Sequence, residues 1–209
     1  MDALSLEAIV LAAFLRCDAS FYTALAAHAP RVAVLKPLRR NAAGVTHLAV
    51  KNRLEEDDNS MTLKPAFIVD GVVFDEFVDD ETVLQSTGKH YYMWGFNTTA
   101  PVKQVLPVVQ KLLEKPMQLQ EDTLKPQEPK DEEAKSWVRL SLWEADKKAW
   151  IRHARPRELV GKPASAPELA LIVQPNEGEG TRVMCSLQTA HPTQPLPNAE
   201  LRRLRPDID

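Results

Sequence analysis

The chain has 209 residues, 44% of them apolar and 26% charged, and a formal net charge of −3 at pH 7. That length and balance fit one large or two small globular domains, and they exclude a surface built throughout for nucleic acid. Sixteen prolines against seven glycines favour rigid loop boundaries over flexible turns.

The first apolar run, Ile9 to Leu15, follows Glu7, and no basic residue opens the chain. A secretory signal is therefore not expected, and Arg16 before Cys17 speaks against a lipoprotein-type cleavage site. No stretch approaches the roughly 18–20 apolar residues of a membrane span. The expectation is a cytoplasmic protein with no membrane contact.

Leu4, Ala8, Leu11 and Leu15 recur at helical spacing, so residues 4–28 are predicted to be helical. Asp18 or Ser20 is placed to end one helix and N-cap a second, which Pro30 stops. A helical hairpin and one bent helix fit equally well. Extended runs follow at Val32–Leu35 and Val45–Val50, and the acidic stretch Glu55 to Asn59 marks a solvated loop.

Asp70-Gly71 between Ala66–Val69 and Val72–Phe74 is a hairpin signature, because a type I′ turn needs positive φ at both central residues. Both of its faces are apolar near the turn, which predicts a central hairpin covered on two sides. His90 to Phe96 is a further strand. Val102, Val105, Leu106, Val109, Leu112 and Leu113 then form an amphipathic helical stripe, with Pro107 on the polar side and expected to kink the helix.

Residues 116–135 hold three prolines, many charges and no aromatic or β-branched aliphatic residue. Such a stretch lacks the apolar area to offset its ordering entropy, and as a flexible coil its ends would sit roughly 25 Å apart. Beyond it the pattern is β throughout. Val138, Leu140 and Leu142 alternate with Trp137, Arg139, Ser141 and Trp143, Asp146 to Lys148 turns the chain, and Trp150 to Arg155 returns. Leu169–Gln174 and Arg182–Gln188 make a second pair, and 198–204 a short helical turn or strand.

The expected fold class is α+β. Residues 1–115 form a domain with an N-terminal helix, a mixed or antiparallel sheet and a C-terminal helix. Residues 116–135 are a flexible charged linker, and 136–209 a small all-β barrel or roll of SH3-like size. Residues 135–209 carry a net charge of +3.

Catalytic and cofactor motifs are missing. Ser86-Thr87-Gly88-Lys89-His90 resembles a phosphate loop only superficially, since Val83 replaces its first glycine and His90 its magnesium-binding hydroxyl. Cys17 and Cys185 lie far apart, with no Cys-x-x-Cys and no Cys/His cluster, so neither zinc nor a disulfide is expected and both read as small buried hydrophobes. Clustered carboxylates at Glu55–Asp58 and at Asp75, Glu76, Asp79, Asp80 and Glu81 suit a solvated surface better than a metal site. No catalytic residue, metal ligand or cofactor is assigned.

Two aromatic clusters carry the binding candidates. His90, Tyr92, Trp94 and Phe96 share one strand face, either a stacking surface or a face packed beneath a helix. Trp143, Trp150, Arg152, His153, Arg155 and Arg157 mix rings with cations, a composition found at protein hot spots and on nucleic-acid surfaces. The leading expectation is a non-enzymatic interaction module: an adaptor, chaperone, inhibitor or immunity-type accessory protein with a protein partner. The alternatives are a nucleic-acid-binding accessory protein acting through residues 135–209, and a metal-dependent hydrolase using the clustered carboxylates.

Overall fold

Alternating apolar residues from both sides of the expected linker meet in one sheet. The computed structural model describes residues 4–32, 38–84, 89–121, 135–153, 166–176, 180–189 and 195–208. Their elements are α1 (Leu6–Phe14), α2 (Ser20–Val32), β1 (Leu38–Arg40), β2 (Thr46–Leu48), β3 (Ser60–Val69), β4 (Val72–Leu84), β5 (Lys89–Thr98), α3 (Val102–Leu112), β6 (Gln120–Glu121), β7 (Trp137–Glu144), β8 (Ala149–His153), β9 (Glu168–Pro175), β10 (Thr181–Gln188) and α4 (Asn198–Leu204). A 3-10 turn, Lys115–Met117, follows α3.

Eight of these strands form an antiparallel sheet in the order β3-β4-β5-β10-β9-β7, with β6 and β8 end to end along the outer edge of β7. Antiparallel α+β architecture is thus present, as the strand patterns implied. The division into a 1–115 domain and a separate 136–209 barrel is corrected by one pairing. β5 lies beside β10 from Thr98 opposite Thr181 to Tyr91 opposite Gln188. Val183, Cys185 and Leu187 of β10 enter the same buried cluster as Trp94 and Phe96 of β5. The core is therefore shared, and the described tail strands extend an open sheet instead of closing a barrel.

The expected linker begins inside that structure, with Leu119 buried in the core and β6 paired to β7. Residues 122–134 of it lie outside the described residues. So do Ser86 to Gly88 of the glycine-lysine stretch, and the run at 33–35.

Sheet alternation creates two faces. The first carries Phe77, Phe96, Trp94, Val183, Cys185, Leu171 and Val173, and the buried residues of all four helices join it in one cluster. Phe14 of α1 and Phe21 of α2 meet the Phe96 ring edge-on at 4.9 and 6.1 Å, the arrangement aromatic quadrupoles favour. α1 starts with Ser5 as N-cap, its hydroxyl accepting from the Ala8 amide at 3.1 Å. α2 continues through Pro30 to Val32, two residues beyond the expected stop. In α3, exposed Pro107 sits on the solvent side while Val105, Val108 and Val109 are buried.

Two further expectations are corrected. The Asp70-Gly71 turn forms, with φ of 47° and 83°, but β3 is the edge strand and its hairpin is covered on one side only. Phe67, Val69, Val72 and Phe74 are buried, while Ile68 and Val73 are 56% and 41% exposed. A bulge in β3 between Thr62 and Phe67 and the pair Lys64-Pro65 protect that edge against further strand pairing. The second correction concerns the cysteines. Cys17 and Cys185 form a disulfide, with Cα atoms 5.6 Å apart, because the turn after α1 is folded onto the middle of β10.

Candidate functional site

The first sheet face absorbs most of the residues that the sequence singled out. Trp94 is 2% exposed and lies beneath the guanidinium of Arg205, whose Cζ is 4.4 Å from the ring centroid. Tyr92 is buried beside it, and burial followed by the nearby Glu81 carboxylate pushes its phenol up to about 12. His90, at the end of the row, stacks on Tyr92 at 6.1 Å and places Nδ1 3.1 Å from Glu81 Oε1. The row is a packed face, with only His90 substantially open to solvent.

In the second cluster Trp143 is buried, Trp150 half-buried and Arg152 exposed. Trp143 and Trp150 face each other across the β7–β8 hairpin at 5.5 Å, and Trp150 Nε1 donates to Glu200 Oε1 of α4 at 2.6 Å. Arg152 donates to the carbonyls of Pro116 and Gln118 at 2.7 and 2.9 Å. Arg139 donates to the Leu15 and Arg16 carbonyls at 3.0 and 3.4 Å, capping the C-terminal end of α1 where the helix dipole favours a cation. Burial, and then the neighbouring Arg152, pull the Arg139 guanidinium down to about 10. Arg155 and Arg157 lie outside the described residues.

The carboxylates of β4 are separated by the strand period of two. Asp79 and Glu81 point to the first face, Glu76 and Asp80 to the second. Asp79 is committed to a buried ionic cluster. Arg205, wholly buried, donates to both Asp79 oxygens at 2.9 and 3.1 Å and to both Asp207 oxygens at 2.9 and 2.8 Å. Arg53 approaches both acids at 3.3 and 3.4 Å. Burial alone would raise Asp207, but Arg205 and hydrogen bonds from Arg205 and Tyr22 outweigh it and hold the carboxyl well below the usual carboxylate range. This cluster clasps the C-terminal segment to the sheet. Among the described residues, no group of three or more His, Cys, Asp or Glu side chains is placed to hold a metal ion.

The second face stands outside the helix-covered cluster, and much of it is nevertheless buried. Register arranges it in rows across the strands. Glu76, Asn97, Arg182 and Gln174 form a polar row. Val78, Gly95, Met184, Ile172 and Val138 form an apolar one, and Asp80, Met93, Ser186, Ala170, Leu140 and His153 a mixed one. In the polar row Asn97 Nδ2 donates to Glu76 Oε2 at 2.5 Å and Arg182 Nε donates to Asn97 Oδ1 at 3.2 Å. Leu140, Ala170 and Met184 are buried, yet none belongs to the helix-covered core. The polar row is thus internally bonded, and an apolar floor of Met93, Met184, Ile172, Val138 and Leu140 lies next to it.

Beyond Leu140, which pairs with His153, lies a cavity of about 330 Å³ lined by Leu142, Trp143, Glu144, Asp146, Ile151 and His153, among others. Ile151 is 37% exposed. The Nδ1 atom of His153 is buried and has no hydrogen-bond partner among the described residues, an unmet demand that is costly in an apolar setting. A smaller groove of about 290 Å³ lies elsewhere, between α1 and the end of α3, and the ion pair of Arg16 with Glu114 at 4.0 Å lines it.

No protein-family model, curated protein or solved structure matches this chain. No helix of the described residues is long and apolar enough to cross a membrane.

The sequence singled out His153 only as one cation among several beside tryptophans. Its place on the second face follows from its pairing with Leu140. Val138, Leu140 and Leu142 were visible as an apolar set, but the opposite set on β7 contains two tryptophans, so neither parity was marked as the core side.

Proposed function

We propose that this protein is a non-enzymatic binding protein whose contact surface is the cavity at the β7–β8 end of the second sheet face. The observation that carries the reading is the buried Nδ1 of His153, unpaired among the described residues, in the wall of a cavity beside Ile151 and Leu142. A protein partner suits this site. An apolar side chain would fill the cavity, and a donor beside it would satisfy the imidazole.

The support for two independent contact surfaces on a flexible tether is gone, because one core spans both parts of the chain. The nucleic-acid reading has less behind it, since Arg139 and Arg152 donate to main-chain carbonyls. The carboxylate-hydrolase reading has less too, since β4 divides its acids between two faces.

The test is affinity purification from the native cell with the wild-type chain, Ile151→Asp and the exposed-loop control Leu54→Asp. Proteins held by wild type and control but lost by Ile151→Asp, with all three chains melting alike, support the reading. Identical recovery by all three ends it.

A further inference from the structure

The disulfide between Cys17 and Cys185 joins residues 168 positions apart. Both partners are buried, Cys17 at 1% exposure and Cys185 at 0%. Cys17 occupies the turn between α1 and α2 with φ of 58°, a left-handed conformation that disfavours any residue with a Cβ. Cys185 stands in the middle of β10, on the face that receives the helices. The bond therefore fastens the helical hairpin to the strand that unites the two parts of the sheet.

We infer that this bond is made by thiol–disulfide exchange with a disulfide-bearing oxidoreductase in an oxidising compartment, before β10 docks against the helices, and that it is permanent once the core closes. The cysteine thiolate that reacts first attacks one sulfur of the donor's disulfide. A mixed disulfide forms and one donor thiolate leaves. The second cysteine thiolate then attacks the protein sulfur of that mixed bond and releases the second donor thiolate. The chain loses two protons and two electrons, and the donor disulfide becomes a dithiol.

Exchange needs a thiolate to reach a sulfur atom, and the folded chain exposes neither. The oxidant therefore acts on a chain whose helices are still off the sheet, and a reductant meets the same barrier afterwards. Reducing cytosols keep such pairs as thiols, so this chemistry places the mature chain elsewhere than the cytoplasm its amino-terminal composition suggested.

The experiment is thiol trapping in acid-quenched native cells with a polyethylene-glycol maleimide, read as a gel shift. The expected result is no adduct without prior reduction and two adducts after it. Two adducts without reduction overturn the inference. Native protein is also incubated with dithiothreitol, with and without denaturing urea. Reduction on the order of 100-fold slower in native buffer is expected, because the bond opens to solvent only with the core. Equal rates would show an accessible bond and overturn its permanence. Neither readout depends on the partner-binding face.

Discussion

Replacing Arg205 by methionine keeps much of the side chain's apolar length and removes its charge from the clasp. In the wild-type protein this guanidinium makes four hydrogen bonds of 2.8–3.1 Å to Asp79 and Asp207. It also lies over the indole of Trp94, with Cζ 4.4 Å from the ring. Both acids have side chains 2% exposed, and Arg53, 23% exposed, would be the one remaining cation near them among the ion pairs described here. Stranding buried charge in this way costs about 3–5 kcal/mol. At roughly 2–4 °C per kcal/mol for a chain of this size, Arg205→Met should lower the melting temperature at pH 7 by about 10 °C. The pH dependence is the sharper check. In the wild type, Asp207 has a depressed folded pKa, so its stabilisation is present above the ordinary carboxylate range and is lost as pH falls through the depressed value. In Arg205→Met the burial that raises Asp207 is no longer opposed by that guanidinium, so protonation of Asp207 on acidification should favour the folded state. The gap between variant and wild type should therefore narrow from pH 7 to pH 5. Calorimetric melts across that range decide the matter. A gap under about 2 °C at pH 7, or one that widens on acidification, would refute the account of the clasp.

Gly95→Ala should destabilise by about 3 kcal/mol in urea titrations, because a Cβ there would collide with the Val183 carbonyl and lie 2.6 Å from Met184 Cα, both backbone atoms of β10. Phe74→Ala should cost about 3–5 kcal/mol, while Ile68→Thr, on the open side of the same hairpin, should change stability by less than about 0.5 kcal/mol. Comparable losses for the two would restore the doubly covered hairpin. Trp150→Phe removes the donor to Glu200 and should cost about 1.5 kcal/mol. Arg203→Ala, which loses a more exposed bond to the same carboxylate, should cost under about 1 kcal/mol in the same melts.

Local pattern was enough for most elements. The Leu6–Phe14 helix, the Val102–Leu112 helix with its outward Pro107, and the strands around Asp70-Gly71, His90–Phe96, Leu169–Gln174 and Arg182–Gln188 all stand where periodicity placed them. Periodicity did not reveal which strands are neighbours. The pairing of Gly95 with Met184 or of Val138 with Ile172 joins segments whose local sequences hold no trace of each other. The polar, proline-bearing stretch at 116–135 resembled a tether for the same reason. Its composition reports that it buries little, not what its two ends are attached to.

The same limit applies to the candidate site. Trp143, Trp150, Arg152, Tyr92 and Trp94 attracted notice because rings and cations together suit a contact surface. Packing the rings inward, and pairing Arg152 with main-chain carbonyls, satisfies those groups equally well. By itself the sequence determined the kinds of element, their order, and the α+β class, since side-chain spacing of two or near 3.6 residues is a local property of the backbone. Tertiary structure alone decided that one sheet runs through both parts, that Cys17 meets Cys185, that Arg205 is buried between two acids, and that His153 lines an open cavity. Each of those depends on contacts between distant residues, whose formation is settled by the free energy of the whole core and not by any window of the chain.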